Sequence, residues 1–128
     1  MKISVIAIIA ILSLTFVTGC IGGAGGVQGV LDAQCNAMKA GDADAFSATY
    51  YGIGEVFELE IKRTFSTNKF KECSQKIISQ ETIEEGIIKA EIGSKVVITH
   101  EDSDEEYTQE DRNTRYFIEK DGKFYETI

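Results

Sequence analysis

A change of residue pattern near Gln80 is the feature that most constrains how this chain folds. Before it, apolar residues recur every three or four positions, as in amphipathic helices, whereas after it β-branched residues alternate with polar ones, as in strands. Residues 112–120 and 123–128 are joined by Asp121-Gly122, a dipeptide that favours a tight hairpin turn. Helices followed by hairpins predict an α+β fold.

A second predicted hairpin precedes this one in the chain. Residues 83–92 and 95–101 alternate in the same way, and Gly93-Ser94 between them fits a two-residue turn with glycine at its first central position. Two hairpins in series predict four strands. We therefore expect N-terminal helices packed on one face of a curved, four-stranded antiparallel sheet.

The first half of the chain predicts two helices close to its start. The first covers residues 27–40, and its apolar residues at helical spacing are Val27, Val30, Leu31, Cys35 and Met38. Gly41 ends it, and Asp42 is a suitable N-cap for a second, shorter helix. The residues assigned to that second helix are Ala45, Phe46, Thr49 and Tyr50.

The next segment, residues 55–65, fits two periods. Its apolar residues alternate as in a strand from Phe57 to Ile61, and they also fall four apart as in a helix from Ile53 to Phe65. We interpret the segment as a helix. A further helix is predicted after it, with its cap and apolar side at Thr67, Phe70, Cys73, Ile77 and Ile78.

Residues 1–19 have the three parts of a secretory signal peptide. Lys2 is the positive start, residues 3–17 are apolar, and Thr18-Gly19 supplies the small residues of a cleavage zone. An uncleaved membrane anchor is the alternative. This fifteen-residue, mainly apolar region gives roughly 22 Å of helix, which is short of the ~30 Å hydrocarbon core of a bilayer.

The stretch Val17-Thr18-Gly19-Cys20 resembles the lipobox of prokaryotic lipoprotein precursors. The resemblance implies cleavage before Cys20, lipidation of its thiol, and a protein held by lipid on the cell membrane, facing out of the cytoplasm at the cell surface or in the periplasm. The five glycines of residues 21–29 favour flexible coil. The predicted organisation is a signal peptide at 1–19, a glycine-rich tether at 20–29 and a single α+β domain at 30–128.

Charge argues against nucleic acid as a partner. The chain carries 21 acidic and 13 basic residues, and removing residues 1–19 takes away Lys2 and no acid. Nucleic-acid binding depends on clustered Lys and Arg, but the basic residues here are scattered among more numerous acids. Any attachment to a membrane therefore has to come from the N-terminus.

Two segments resemble small lipoproteins that carry a cystatin-like, ketosteroid-isomerase-like domain. They are the helix break of residues 39–46, with Lys39 and Gly41-Asp42, and the last hairpin of residues 117–125, in which Phe124 stands where Trp is usual. The resemblance implies a sheet curled around a helix, with a conical pocket. The fold does not by itself confer an activity.

Cys35 and Cys73 both lie on apolar sides of predicted helices in an exported domain. Export makes a disulfide between them plausible, and closing that loop would contribute about 4 kcal/mol in the chain-entropy model. Two buried free thiols are the alternative. Zinc needs about four ligands, and His100 is the only histidine, so we predict no metal site.

Two further groups of polar residues have simple structural interpretations. His100 has no adjacent nucleophile with an orienting acid, so we interpret it as a structural side chain. The acidic run of residues 101–106 lacks the glycine turn and ligand spacing of an EF-hand, and it predicts a solvated loop rather than a calcium site.

Three tyrosines, Tyr50, Tyr51 and Tyr116, are candidates to line a pocket between helix and sheet, although core packing would explain them equally well. The sequence does not show which of the candidate bases, Glu58, Glu60 and Glu119, would enter the cone. We therefore assign no catalytic residue and expect no cofactor. The leading hypothesis is a non-enzymatic lipoprotein domain that binds a small ligand or an envelope protein. The alternatives are an isomerase-like enzyme with a carboxylate in the cone and a structural surface lipoprotein.

Overall fold

The computed structural model of the protein describes residues 26–128. The predicted signal peptide, Cys20 and the first part of the predicted tether lie outside the described residues. The tether was also expected to include residues 26–29, but these form the first turn of a helix, with Val27 buried. None of the helices within residues 26–128 has the length and apolar character needed to cross a membrane.

Three helices precede the main strands. Helix α1 is Gly26–Ala40, α2 is Ala43–Ser47 and α3 is Glu55–Thr67, which confirms the helices predicted at 27–40 and 55–65. The Asp42 carboxylate accepts a hydrogen bond from the Ala45 amide at 3.0 Å, so it caps α2 as expected. The predicted extension of α2 to Tyr50 is wrong, because Tyr50 already belongs to a strand.

The sheet has five strands and mixed directions, not four antiparallel strands. The strands are β1 (Tyr50–Tyr51), β2 (Asn68–Glu84), β3 (Ile87–His100), β4 (Glu106–Lys120) and β5 (Lys123–Thr127), in the spatial order β1-β5-β4-β3-β2. Strand β1 runs parallel to β5, and the other pairs are antiparallel. The extra strands arise where the sequence pattern predicted helix.

Strand β2 replaces the predicted helix that was to start at Thr67. A bulge shifts the pairing between Phe70 and Glu72, so Phe70 lies opposite Ile98 while Cys73 lies opposite Val96. A second bulge follows Ile77. Each bulge adds one residue to the strand, and side chains three or four positions apart thereby share a face. The apolar spacing of a bulged strand imitates that of a helix.

The hairpin turn predicted at Gly93-Ser94 is also displaced. Gly93-Ser94 lies inside the continuous strand β3, and the chain reverses instead at Glu85-Gly86, where Gly86 has a φ of +79°. A side chain at position 93 would place its Cβ 3.3 Å from the Ile78 Cδ1 atom, so glycine serves close packing there. The hairpin predicted at Asp121-Gly122 is confirmed, since both residues have positive φ between β4 and β5.

Helix α1 packs across one face of the sheet, which we call the concave face, and forms the core there. The buried apolar residues of this cluster are Val27, Val30, Leu31, Ala90, Ile92 and Phe117. A disulfide joins Cys35 of α1 to Cys73 of β2, with a Cα–Cα distance of 5.3 Å, which confirms the predicted pairing. The bond fixes the C-terminal half of α1 against the edge strand.

Candidate functional site

A ring of four polar side chains lies on the concave face, one helical turn beyond the apolar core. Gln34 comes from α1, Gln75 from β2, Arg115 from β4 and Glu126 from β5. We call these residues the polar ring. All but Arg115 are buried, and 17% of the Arg115 side chain is exposed. Buried polar groups require hydrogen-bond partners.

Each member of the polar ring hydrogen-bonds to the next. Gln34 Nε2 donates to Glu126 Oε1 at 2.8 Å, Gln75 Nε2 donates to Gln34 Oε1 at 3.0 Å, and Arg115 Nη2 donates to Gln75 Oε1 at 2.7 Å. Arg115 Nη1 lies 3.4 Å from Glu126 Oε1 and closes the ring with an ion pair. The buried carboxylate and the partly buried guanidinium therefore neutralise each other.

Tyr50 lies beside the polar ring. Burial raises the pKa of the Tyr50 phenol well above its ordinary value, the Glu126 carboxylate adds to the rise, and Arg115 opposes it. The adjacent Thr49 hydroxyl accepts from Gln34 Nε2 at 3.3 Å, and its carbonyl accepts from the Glu126 amide at 2.8 Å. Strand β1 thus brings an uncharged phenol to the buried carboxylate.

A cavity of about 360 Å³ opens over the polar ring. The polar ring and Tyr50 line one part of it. Ser94 and Asn113 add uncharged polar groups from the sheet, and the remaining lining residues, Met38, Phe46 and Val96, are apolar. A small cavity with an apolar wall and a few converging polar groups is the usual form of a ligand site.

Aromatic side chains hold α2 and α3 at one side of this cavity. Phe46 of α2 contacts Tyr50 and Phe65, with ring centroids 5.6 and 5.3 Å apart, and Tyr50 meets Phe57 of α3 edge-on at 5.4 Å. Phe65 continues to Phe70 of β2 at 5.3 Å. These contacts hold Tyr50 in place.

A second groove, of about 320 Å³, lies between α1, α2 and the turn of the last hairpin. Its lining consists mainly of glycine, alanine and other apolar residues, with Thr49 and Lys123 as the polar members. Hydrogen-bonded polar groups do not converge there as they do at the concave cavity. We therefore place the candidate site over the polar ring.

Of the three tyrosines predicted to line a pocket, Tyr50 lies in the concave cavity. Tyr51 and Tyr116 are 44% and 42% exposed. The reason is strand alternation, because Tyr51 follows Tyr50 and Tyr116 follows Arg115, so both point away from the concave face. Their exposed rings pack with other groups, for example Tyr51 against Tyr125 at 5.8 Å.

The titratable groups considered from the sequence lie away from the cavity. Glu58, Glu60 and Glu119 are exposed, and His100 stacks edge-on against Tyr107 at the far end of β3. The acidic residues 101–105 form an exposed loop between β3 and β4. Within residues 26–128, no group of three or more His, Cys, Asp or Glu side chains is arranged to hold a metal ion.

Sequence reasoning missed the polar ring, although one signal was available. Each member shares a face with a core residue by the period of its own element: Gln34 with Leu31, Gln75 with Ile77, Arg115 with Phe117 and Glu126 with Phe124. A polar residue on an apolar face is a candidate for a buried site. This signal does not identify Gln75, because the apolar spacing around it predicts a helix, and the helical period does not place Gln75 on the same face as Ile77.

Comparison of the structure with solved proteins identifies the fold. A ketosteroid isomerase-like protein from Erwinia carotovora atroseptica superposes with a TM-score of 0.64 at 14% sequence identity, over 78% of this chain and 87% of that one. An uncharacterised protein with a cystatin-like fold from Caulobacter vibrioides gives a TM-score of 0.57 at 18% identity, over 81% and 84%. No family model matches the sequence, and no curated protein matches it significantly. The ketosteroid-isomerase-like, cystatin-like fold is therefore confirmed, and function has to be argued from the site.

Proposed function

We propose that this protein is a lipid-anchored, extracytoplasmic domain that binds a small ligand in the concave cavity without catalysing a reaction on it. The observation that carries the binding role is the cavity of about 360 Å³ over a hydrogen-bonded polar ring. A purely structural domain has no need of such a cavity, since filling it with apolar side chains would stabilise the fold.

The state of the charged groups favours binding over catalysis. A general base needs a carboxylate that is free to take a proton, whereas Glu126 Oε1 already accepts from Gln34 and pairs with Arg115. Tyr50 is held in its protonated form by its raised pKa, so it also cannot act as a base near neutral pH. In the alternative, an isomerase-like enzyme, Glu126 would have to act as the base while its Oε1 keeps these two contacts.

Blocking the cavity tests the binding role. A Val96→Phe substitution places a larger side chain in the cavity, and Val97→Phe makes the same change on the opposite face of β3, where it serves as the matched control. Ligand-observed NMR with a fragment library should find compounds that bind the wild type and V97F but not V96F. Hits that bind V96F as well as the wild type would place the ligand elsewhere.

The lipid anchor rests on the Val17 to Cys20 stretch and on the apolar segment before it. Cleavage and lipidation would leave Cys20 as the mature N-terminus, and two acyl chains would hold the protein stably on a membrane. A Cys20→Ala variant should remain unprocessed or leave the detergent phase in a detergent-partition experiment. If this variant has the same mass and partitions like the wild type, the lipoprotein assignment is wrong.

A further inference from the structure

The concave cavity holds one partly buried cation, Arg115, and one buried anion, Glu126, and its remaining lining residues are uncharged. Arg115 and Glu126 are 3.4 Å apart, so their charges cancel within the site. A charged ligand would therefore enter a partly buried space without an unpaired opposite charge to meet it. Burying an unpaired charge is costly compared with burying a hydrogen-bonded neutral group.

Arg115 is not available as a receptor for an anion. Its Nε donates to Asn113 Oδ1 at 3.2 Å, its Nη2 donates to Gln75 at 2.7 Å, and its Nη1 lies 3.4 Å from both Gln34 Oε1 and Glu126 Oε1. All three guanidinium nitrogens are thus engaged. A carboxylate or phosphate would have to displace members of the polar ring to obtain the forked contact that arginine offers.

A cationic ligand meets the converse difficulty. Glu126 Oε1 already accepts from Gln34 at 2.8 Å and faces Arg115, so an ammonium group beside it would also lie beside the guanidinium. Repulsion between these like charges offsets the attraction of the carboxylate. The polar ring therefore disfavours ligands of either sign.

Uncharged polar groups of the cavity remain available to a ligand. Within residues 26–128, the Ser94 hydroxyl and the Asn113 amide nitrogen have no protein hydrogen-bond partner, although Asn113 Oδ1 accepts from Arg115. Both residues line the cavity, and Tyr50 contributes a neutral phenol. Hydroxyl, carbonyl or amide groups are the chemical partners of such side chains.

We infer that the ligand of the concave cavity is an uncharged, partly apolar molecule with hydroxyl, carbonyl or amide groups. Its polar groups face Ser94, Asn113 and Tyr50, and its apolar part lies against Met38, Phe46 and Val96. This inference rests on the proposed binding function and specifies the ligand class. The cavity volume of about 360 Å³ limits the ligand to the small end of the usual range for such sites.

Three probes of one shape and different charge test the inference: 2-naphthamide, 2-naphthoate and 2-naphthylmethylamine, which are neutral, anionic and cationic at pH 7.4. Fluorescence titration should show the amide binding at least about tenfold more tightly than either charged probe, because a charge remains unpaired in the site. Tighter binding of the naphthoate or the amine would overturn the inference. If all three fail to bind, the proposed binding function itself is wrong and the inference fails with it.

A Glu126→Gln variant tests the charge argument within the same site. It leaves Arg115 as the only charge among the lining residues, so the naphthoate should gain at least about tenfold relative to the amide. The matched control is Glu91→Gln, which removes the partner of Arg112 in an exposed ion pair of 2.6 Å elsewhere on the sheet. It should leave the order of the three probes unchanged. An E126Q protein that folds and in which the naphthoate gains no affinity relative to the amide would contradict the charge argument.

Discussion

The concave face of the sheet has two neighbouring halves that are built from the same elements. One half is packed with apolar side chains, and the other contains the polar ring and its cavity. Under the N-terminal part of α1 the side chains are apolar and closely packed, with Phe117, Leu31 and Ile92 each 0% exposed. Under its C-terminal part the polar ring leaves a cavity of about 360 Å³. A few residues along each element separate the halves: Leu31 and Gln34 on α1, Ile77 and Gln75 on β2, Phe117 and Arg115 on β4, Phe124 and Glu126 on β5.

The difference shows how directional contacts keep a space open. Apolar burial is non-directional, so apolar side chains move until the gap between helix and sheet is filled. Hydrogen bonds hold their partners within narrow limits of distance and angle. The side chains of the polar ring are fixed on one another, as in the 2.7 Å contact between Arg115 and Gln75, and they do not collapse into the cavity beside them.

The largest effect is expected in the apolar half. A Phe117→Ala substitution removes a fully buried ring and should lower the free energy of unfolding by about 3–5 kcal/mol, measured by urea denaturation. Tyr116→Ala, the adjacent residue with 42% exposure, is the matched control and should cost less than about 1 kcal/mol. Comparable losses at the two positions would show that the apolar half is not the stabilising core.

An intermediate effect is expected when the polar ring is broken. Arg115→Met leaves the buried Glu126 carboxylate without its cation and should lower the free energy of unfolding by about 2–3 kcal/mol, because an unpaired charge is costly and residual exposure reduces that cost. The double variant R115M/E126L should recover most of the loss. A double-mutant cycle measured by urea denaturation gives the coupling between the two residues.

The control for the polar ring is Arg112→Met, which breaks the exposed pair with Glu91 and should lower the free energy of unfolding far less than R115M does, because solvent screens an exposed ion pair. If the losses in the single variants R115M and E126L add up to the loss in the double variant, the two residues do not act as a pair. The polar half would then owe its stability to contacts other than the polar ring.

The smallest effect is a dependence on pH. The pKa of Tyr50 is raised in the folded state, whereas a tyrosine in an unfolded chain titrates near about 10. The folded state therefore holds the phenolic proton more tightly. The resulting stability is fully present below pH ~10 and is lost as the pH rises above it, by at most about 1.4 kcal/mol per pH unit.

Urea denaturation of the wild type and of Tyr50→Phe between pH 8 and 11 isolates this contribution, since other titrating groups are common to both. The free energy of unfolding of the wild type minus that of Y50F should be constant up to about pH 9 and should fall above that pH. Tyr51→Phe, whose hydroxyl lies outside the cavity, should follow the wild type. A parallel course for wild type and Y50F would mean that Tyr50 ionises without effect on folding.

Local signals in the sequence were sufficient for several elements and failed for others. Asp42, Asp121-Gly122 and the apolar stripe of α1 each act through the neighbouring backbone or through one helix face, and all three were predicted correctly. The helix predicted from Thr67 was wrong because bulges in β2 give a strand the apolar spacing of a helix. The turn predicted at Gly93 was wrong because that glycine permits close contact with Ile78, a residue on the neighbouring strand.

The sequence by itself determined the class of fold, the pairing of Cys35 with Cys73 as one of two alternatives, and the hypothesis that Val17 to Cys20 directs a lipid anchor. Only the tertiary structure decided which polar residues meet, because Gln34 and Glu126 are 92 positions apart and touch at 2.8 Å. Their contact depends on how α1 packs against the sheet, which brings together residues that are far apart in the sequence. The cavity exists for the same reason, since it is the space left where four distant side chains hold one another.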